Sequence, residues 1–317
     1  MGHAEPAAAD PPYPTGPPEG VDRSPEWESD RLDLGAYLAR CGYHGPVAPT
    51  TEALRLLHRA HMSTFTFENV DIALGRPVSL ALDDVARKLV GAGRGGYCYE
   101  TNLLFAAALD RFGFAVTRLL SRIREGSGRR RFRSHTSLLV RARDEPGTVW
   151  LADPGYGYAG LIEPLPLREG ATQDIAGWRW RLGRDDGHWV LRMASDDGWF
   201  DLYAFRPEPQ YAVDFLAAHH VSSTRPGSPF VGRLVAQRGG ETARHRLRDT
   251  VLTTDRPGGR TETVELSPAG TVEALRSVFG LRLSERDAGE LCAFLDTPER
   301  AGGAARAGAS RAGASRG

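Results

Sequence analysis

The segment with the strongest chemical signature is GRGGYCYETN, which runs from Gly93 to Asn102. Two adjacent glycines allow backbone conformations closed to other residues, and Cys98 follows them at the predicted start of a helix. Free backbone N–H groups and the helix dipole favour negative charge there, and the thiolate is the reactive form of cysteine. Cys98 is therefore a candidate nucleophile, and the alternative is an inert cysteine that packs in the core.

A cysteine nucleophile needs a base, and the chain offers nine histidines. His135 lies in SHTSLLV, a predicted strand, whereas His219 and His220 are rivals that could line a cleft. Asp153 ends the apolar strand VWLAD, where a carboxylate is costly unless it is hydrogen-bonded. Its alternative role is to cap a turn. Together Cys98, His135 and Asp153 match the nucleophile, base and orienting carboxylate of a catalytic triad.

The pairing of His135 with Asp153 imposes a condition on the two strands that carry them. Side chains alternate along a strand, so both residues face one side only if directly paired residues have numbers with an even sum. Pairing Arg143 with Thr148 across the turn would give an odd sum. We therefore predict a three- or five-residue turn, or one bulge, between the strands. A regular ladder with an odd sum would separate the two side chains.

The elements that must position these residues show two different spacings of hydrophobic residues, first that of helices and then that of strands. Residues Leu32 to Phe112 show helical spacing, with one helix predicted from about Tyr97 to Phe112 and a stop at Gly113. Alternating patterns typical of strands follow Phe112. A smaller part with both strand and helix patterns ends the chain, and one of its strands is predicted from Arg244 to Thr253. Helices followed by strands predict an α+β fold.

Composition and charge exclude several classes of protein. The 317 residues are 41% hydrophobic and 25% charged, an ordinary globular balance. Lysine plus arginine equals aspartate plus glutamate at 40 each, so the electrostatic signature of a nucleic-acid binder is missing. Lys88 is the only lysine. Without a run of about 18 apolar residues, no membrane span is predicted.

The cysteine content predicts neither a disulfide framework nor a metal site. The chain has three cysteines, Cys41, Cys98 and Cys292, which are too few and too scattered for either. A reducing cytoplasm is the expected location. Residues 1–30 are rich in proline and alanine, and residues 297–317 form a basic, low-complexity segment. We predict a disordered leader and a disordered tail.

Several ordered motifs resemble those of the arylamine N-acetyltransferases over roughly Leu32 to Leu295. The matching segments, in chain order, are Phe67-Glu68-Asn69, Leu74-Gly75-Arg76-Pro77, Arg94 to Cys98, the strand around His135, the Asp153-Gly155-Gly157 motif and Ser223 to Ser228. The chain departs from the family pattern at Thr66, where proline is usual, and at Gly93, where the first of two arginines is common.

The resemblance implies three domains with a cysteine-protease-like core. These are a helical bundle over residues 31–113, a β-barrel over 114–215 and an α/β lid over 216–296. It also implies that Cys98, His135 and Asp153 form the triad. In that case the protein is an acyltransferase that moves acetyl from acetyl-CoA to an arylamine, arylhydrazine or hydroxylamine by a ping-pong mechanism. Acetyl-CoA is then a cosubstrate, and no permanently bound cofactor is expected.

The resemblance also implies which residues contact the substrates. Phe67 and Tyr156 would line the acceptor pocket. The loop of residues 131–134 would lie near the CoA entrance, with Phe132 as a substrate-binding residue.

Two alternatives remain. Relatives with the same triad act as amide synthases, which release a polyketide from an acyl carrier protein by closing a macrolactam onto an aromatic amine. A papain-like hydrolase or a catalytically silent binding protein is the alternative from another class.

Overall fold

The computed structural model describes residues 24–125, 131–196 and 198–297. Residues 1–23 and 298–317, which hold most of the predicted leader and tail, lie outside the described residues. Helix α1 (Ser24–Trp27) and a 3-10 turn (Ser29–Arg31) lie at the end of the predicted leader. The Trp27 ring packs edge-on against Phe215 with 5.3 Å between centroids.

The N-terminal half of the described chain is helical, as its periodicity predicts. Its longer helices are α2 (Leu34–Cys41), α3 (Thr51–Thr64) and α6 (Cys98–Phe112), and its shorter ones are α4 (Val70–Ala73) and α5 (Leu82–Ala86). A π-helical turn (Arg87–Gly91) follows α5. The predicted stop of α6 is confirmed, since Gly113 caps it in the left-handed conformation at φ 86°.

An antiparallel eight-stranded sheet follows the helices. Its spatial order is β5-β4-β3-β2-β9-β8-β7-β6. The strands in chain order are β2 (Ala115–Ile123), β3 (His135–Arg141), β4 (Trp150–Ala152), β5 (Leu165–Pro166), β6 (Thr172–Ile175), β7 (Trp178–Asp185), β8 (His188–Ser195) and β9 (Gly198–Phe205). Helix α6 packs on β2 and β3, so the predicted nucleophile and base lie on neighbouring elements.

The register of β3 against β4 satisfies the even-sum condition. Leu138 pairs with Ala152 and Val140 with Trp150, without a register shift. The connection is longer than the predicted three or five residues, because it spans residues 142–149. Its backbone leaves the ladder and contacts the segment just before α3, where the Arg143 N–H donates to the Pro49 carbonyl.

A second antiparallel sheet combines β1 from the helical half with four strands of the C-terminal part, where helices pack beside it. Its spatial order is β1-β10-β11-β12-β13. The strands are β1 (Phe67–Glu68), β10 (Val235–Arg238), β11 (Arg244–Arg248), β12 (Val251–Arg256) and β13 (Arg260–Glu265), and the helices are α7 (Ala212–Thr224), α8 (Pro268–Ser277) and α9 (Glu285–Leu295). The strand predicted from Arg244 to Thr253 is wrong, since a turn with Asp249 at φ 53° divides it into β11 and β12.

One hydrophobic cluster joins the helices, the eight-stranded sheet and the C-terminal part. It includes Phe67 of β1, Cys98 of α6, Leu120 of β2 and Phe215 of α7. Residues far apart in sequence therefore meet around the predicted nucleophile. Among the residues that the structure describes, no helix has the length and apolar content needed to cross a membrane.

Candidate active site

Cys98 is the first residue of α6, as its sequence context predicts, and it is 2% exposed. The glycine pair before it serves a different purpose from the predicted one, because neither Gly95 nor Gly96 has a positive φ. A Cβ on Gly95 would collide with the backbone carbonyl of Thr66, and one on Gly96 would lie 2.8 Å from Cβ of Glu100. The two glycines are required by close packing of the turn.

Strand β3 crosses the start of α6 and brings His135 to Cys98. The Thr136 hydroxyl donates to the Cys98 carbonyl at 2.8 Å, which holds the strand against the helix. The Cys98 Sγ lies 3.9 Å from the Ser134 carbonyl oxygen. The Cys98 side chain also acts on the His135 imidazole and contributes to raising its pKa.

His135 and Asp153 form a buried pair, with 2.7 Å between Nε2 of the imidazole and Oδ2 of the carboxylate. Their exposures are 3% and 0%. Because Nε2 faces Asp153, Nδ1 is the nitrogen available to Cys98. Burial alone would lower the pKa of His135, but the charge and hydrogen bond of Asp153 outweigh it and raise that pKa to about 10.

Two residues that the sequence analysis missed hold Asp153 in place. Asn102 donates from Nδ2 to Oδ1 of Asp153 at 2.9 Å, and its own Oδ1 accepts the Gly155 N–H. Nε2 of His58 accepts the Asp153 N–H at 3.1 Å. Asn102 stands one helical turn after Cys98, and that spacing could have identified it. Nothing local distinguishes His58, which lies on α3.

Aromatic rings surround the imidazole of His135. The Tyr156 ring meets it edge to face with 5.1 Å between centroids, and the Tyr203 ring lies 4.9 Å away. Phe67 is 7% exposed and belongs to the cluster that contains Cys98. Phe132 is 40% exposed on the loop just before β3. Phe67 and Tyr156 thus lie beside the candidate triad, while Phe132 lies on the surface next to it in sequence.

The rival histidines occupy helix α7 and do not pair with Asp153. His219 is buried, and its Nδ1 accepts a hydrogen bond from the Tyr97 hydroxyl while Nε2 donates to the Val78 carbonyl at 3.0 Å. His220 is exposed. His219 therefore ties α7 to the residue before the nucleophile, and His135 is the histidine beside Cys98.

The other cysteines lie outside the site. Burial of Cys41 in α2 raises the pKa of its thiol to about 12, which disfavours the thiolate. Cys292 is a partly exposed residue of α9. Across the described ranges, no group of three histidine, cysteine or acidic side chains has a geometry suited to a metal ion.

Comparisons with known proteins identify the family. An N-acetyltransferase family model matches residues 50–288. The arylamine N-acetyltransferase of Mycolicibacterium smegmatis is 34% identical over 259 residues, which cover 80% of this chain and 94% of that protein. An arylamine N-acetyltransferase of Mycobacterium tuberculosis is 36% identical over 260 residues, which cover 80% of this chain and 91% of that protein.

Solved structures agree with the sequence matches. The arylamine N-acetyltransferase of Nocardia farcinica superposes with a TM-score of 0.82 at 39% identity and covers 87% of this chain and 100% of that one. The Mycobacterium marinum enzyme in complex with CoA gives a TM-score of 0.76 at 34% identity, covering 83% and 98%. The α+β fold with a cysteine-protease-like core is confirmed, and the chain belongs to the arylamine N-acetyltransferase family.

Proposed function

We propose that the protein transfers an acetyl group from acetyl-CoA to an aromatic amine through a thioester on Cys98. The observation that supports this most is the buried His135–Asp153 pair, 2.7 Å apart, beside a cysteine at a helix N-terminus. The CoA complex of the Mycobacterium marinum relative supports a CoA thioester as the donor. Cys98, His135 and Asp153 then act as nucleophile, base and orienting carboxylate.

In the first half-reaction, the Cys98 sulfur attacks the carbonyl carbon of acetyl-CoA. The proton of Cys98 resides on Nδ1 of His135, because Asp153 stabilises the imidazolium through Nε2. A carbon–sulfur bond forms to Cys98, the bond to CoA breaks, and the CoA thiolate leaves with the proton from His135. Backbone N–H groups at the start of a helix tend to lack partners within it, and those near Cys98 are proposed to stabilise the oxyanion.

In the second half-reaction, the amine nitrogen attacks the Cys98 thioester. Neutral His135 takes the proton from the nitrogen, and the carbon–sulfur bond breaks to release the amide and restore the starting site. Phe67 and Tyr156 are proposed to line the acceptor pocket, since both rings flank the triad. Phe132 is proposed to contact the substrate at the surface. Apolar walls also exclude water, which suppresses hydrolysis of the thioester.

The mass of the intact protein after brief exposure to acetyl-CoA, without amine, tests this function. We expect one added acetyl group on the wild type, none on Cys98→Ala, and full retention on the matched control Cys292→Ser. Addition of an arylamine should discharge the adduct. Absence of an adduct would refute acetyl-CoA as donor, and acylation by a carrier-protein thioester instead would establish the amide synthase alternative.

A further inference from the structure

A glutamine of the second sheet, Gln237, holds the loop that carries Tyr156, which spans residues 153–160. Gln237 lies in β10, and its Oε1 accepts the backbone N–H of Tyr158 at 3.3 Å. The same oxygen explains why position 157 is glycine, because a Cβ on Gly157 would collide with it and the φ of that residue is 95°. Gln237 therefore packs directly on the Tyr156 loop.

The backbone of Gln237 is joined to the other ring that is proposed to line the acceptor pocket. In the ladder between β1 and β10, Gln237 is the direct partner of Phe67. Side chains of residues that pair directly across an antiparallel ladder lie on the same face of the sheet. One residue thus contacts β1 through its backbone and the Tyr156 loop through its side chain.

The Tyr156 loop is anchored on each side of the Tyr156 ring. Before the ring, the Gly155 N–H donates at 3.1 Å to Oδ1 of Asn102, which belongs to the helix of the nucleophile. After the ring, the Tyr158 N–H donates to Gln237 of the second sheet. The helix anchor places the loop beside the candidate triad. The sheet anchor sets the distance of the loop from β1, which lies in the same sheet as β10.

We propose that Gln237 is a positioning residue for the amine half-reaction: it holds the Tyr156 ring at a fixed distance from Phe67 and so sets the width of the acceptor pocket. The inference rests on the proposed function, in which these two rings line that pocket. Its effect belongs to the second half-reaction, because the amine must be held in a narrow range of positions to attack the Cys98 thioester. CoA is expected to enter elsewhere, past the loop of residues 131–134.

The neighbouring strand provides a way to separate the hydrogen bond of Gln237 from its bulk. Arg246 of β11 pairs directly with Gln237, and its Nη1 donates to the Tyr158 hydroxyl at 3.3 Å. Gln237→Glu therefore keeps an oxygen that accepts the Tyr158 N–H, with a cation nearby to balance the new charge. Gln237→Met keeps the length of the side chain and removes the acceptor.

The test measures the two half-reactions separately. Each protein is acetylated with acetyl-CoA, and intact mass then follows the loss of the acetyl group from Cys98 as aniline is added. We expect Gln237→Met to acetylate within about twofold of the wild-type rate but to need about tenfold more aniline for half-maximal discharge, the scale of one buried donor left unpaired. The limiting discharge rate should stay unchanged. Gln237→Glu should return the aniline dependence to within about twofold of the wild type, because the acceptor is restored.

Gln173→Met is the matched control. Gln173 also ties this connection to a strand, since its Oε1 accepts the Glu163 N–H at 3.4 Å and its Nε2 donates to the Glu163 carbonyl at 2.9 Å, but it does so beyond Tyr156. Its aniline dependence should match the wild type. An equal shift in Gln173→Met, a wild-type dependence in Gln237→Met, or no recovery in Gln237→Glu would overturn the proposal.

Binding of aniline to the unacetylated protein, titrated by NMR of the ligand, is a second measurement that needs no acetyl-CoA. Gln237→Met should bind aniline about tenfold more weakly than the wild type. Equal affinities, or a wild type that does not bind aniline, would refute the role of Gln237. If Gln237→Met does not fold, Gln237→Ala replaces it in both measurements. A wild type that forms no acetyl adduct would refute the proposed function, while the binding comparison would still decide the role of Gln237.

Discussion

Asp153→Asn changes the candidate site at one atom and keeps its shape. The carboxylate accepts two side-chain hydrogen bonds, from His135 at Oδ2 and from Asn102 at Oδ1, at 2.7 and 2.9 Å. Asparagine has one acceptor and one donor at those positions. Either orientation of the amide therefore sets its NH₂ group against another donor, the Nε2–H of His135 or the Nδ2 of Asn102.

The free-energy cost of an unpaired donor indicates which orientation of the amide is favoured and how far turnover falls. An unpaired buried donor costs about 1–3 kcal/mol, so the imidazole is expected to move its proton from Nε2 to Nδ1 and accept the amide N–H. Nδ1 then cannot take the proton of Cys98. Without the Asp153 charge, the effect of burial is no longer offset, and burial lowers the pKa of His135. We expect turnover to fall about 10⁴-fold, as for the same change in a serine-protease triad.

Three measurements on the Asp153→Asn protein test the expected loss of turnover and its cause. Acetyl transfer to an arylamine gives the turnover, near-ultraviolet circular dichroism reports the fold, and iodoacetamide alkylation reports the reactivity of Cys98. We expect a native spectrum with slow transfer and slow alkylation at neutral pH. Turnover within about tenfold of the wild type in a folded protein would show that Asp153 does not control the His135 tautomer.

Three further changes test the packing and electrostatics around the site. Gly96→Ala should lower activity at least tenfold, because its Cβ meets Glu100 at 2.8 Å, whereas Gly91→Ala, with open space around it, should keep both activity and melting temperature; equal effects would contradict the packing argument. Burial lowers the pKa of His58 to about 4, so the unfolded chain binds a proton between pH 6.5 and 4 that the folded one does not, and stability falls as the pH drops. His58→Gln should remove about 2 kcal/mol of that loss between pH 7 and pH 4.5, measured by urea unfolding at the two pH values, and an unchanged pH dependence would refute it. Cys292→Ser should retain wild-type turnover with an arylamine, and a substantial loss would assign this cysteine a role.

The candidate triad could be predicted from sequence because the local signal at Cys98 combines with the family motifs around His135 and Asp153. The glycine turn and the following helix pattern mark Cys98, and the alternation of two short strands fixes the face of His135 and Asp153. The even register of β3 and β4 bears out that reasoning. The division into three domains and the catalytic roles of the triad remain predictions, which the experiments above address.

Several parts of the fold escaped prediction because their sequence signals are ambiguous. Helix α7 has apolar residues around most of its circumference, so no amphipathic period marks it. The loop between β3 and β4 was predicted too short, since Arg143 and Asp144 bind the start of α3 rather than extending the ladder. In both cases contacts with distant segments override the local pattern.

The sequence predicts the chemistry of the candidate site: a sulfur, an imidazole and a carboxylate, and the helix and strands that carry them. The contacts that support these side chains follow from the tertiary structure. His58 reaches Asp153 across 95 positions, and the glycine pair is explained by Thr66 and Glu100 rather than by unusual torsion angles. Helix starts and strand alternation depend on neighbouring residues, whereas these contacts depend on how the elements pack.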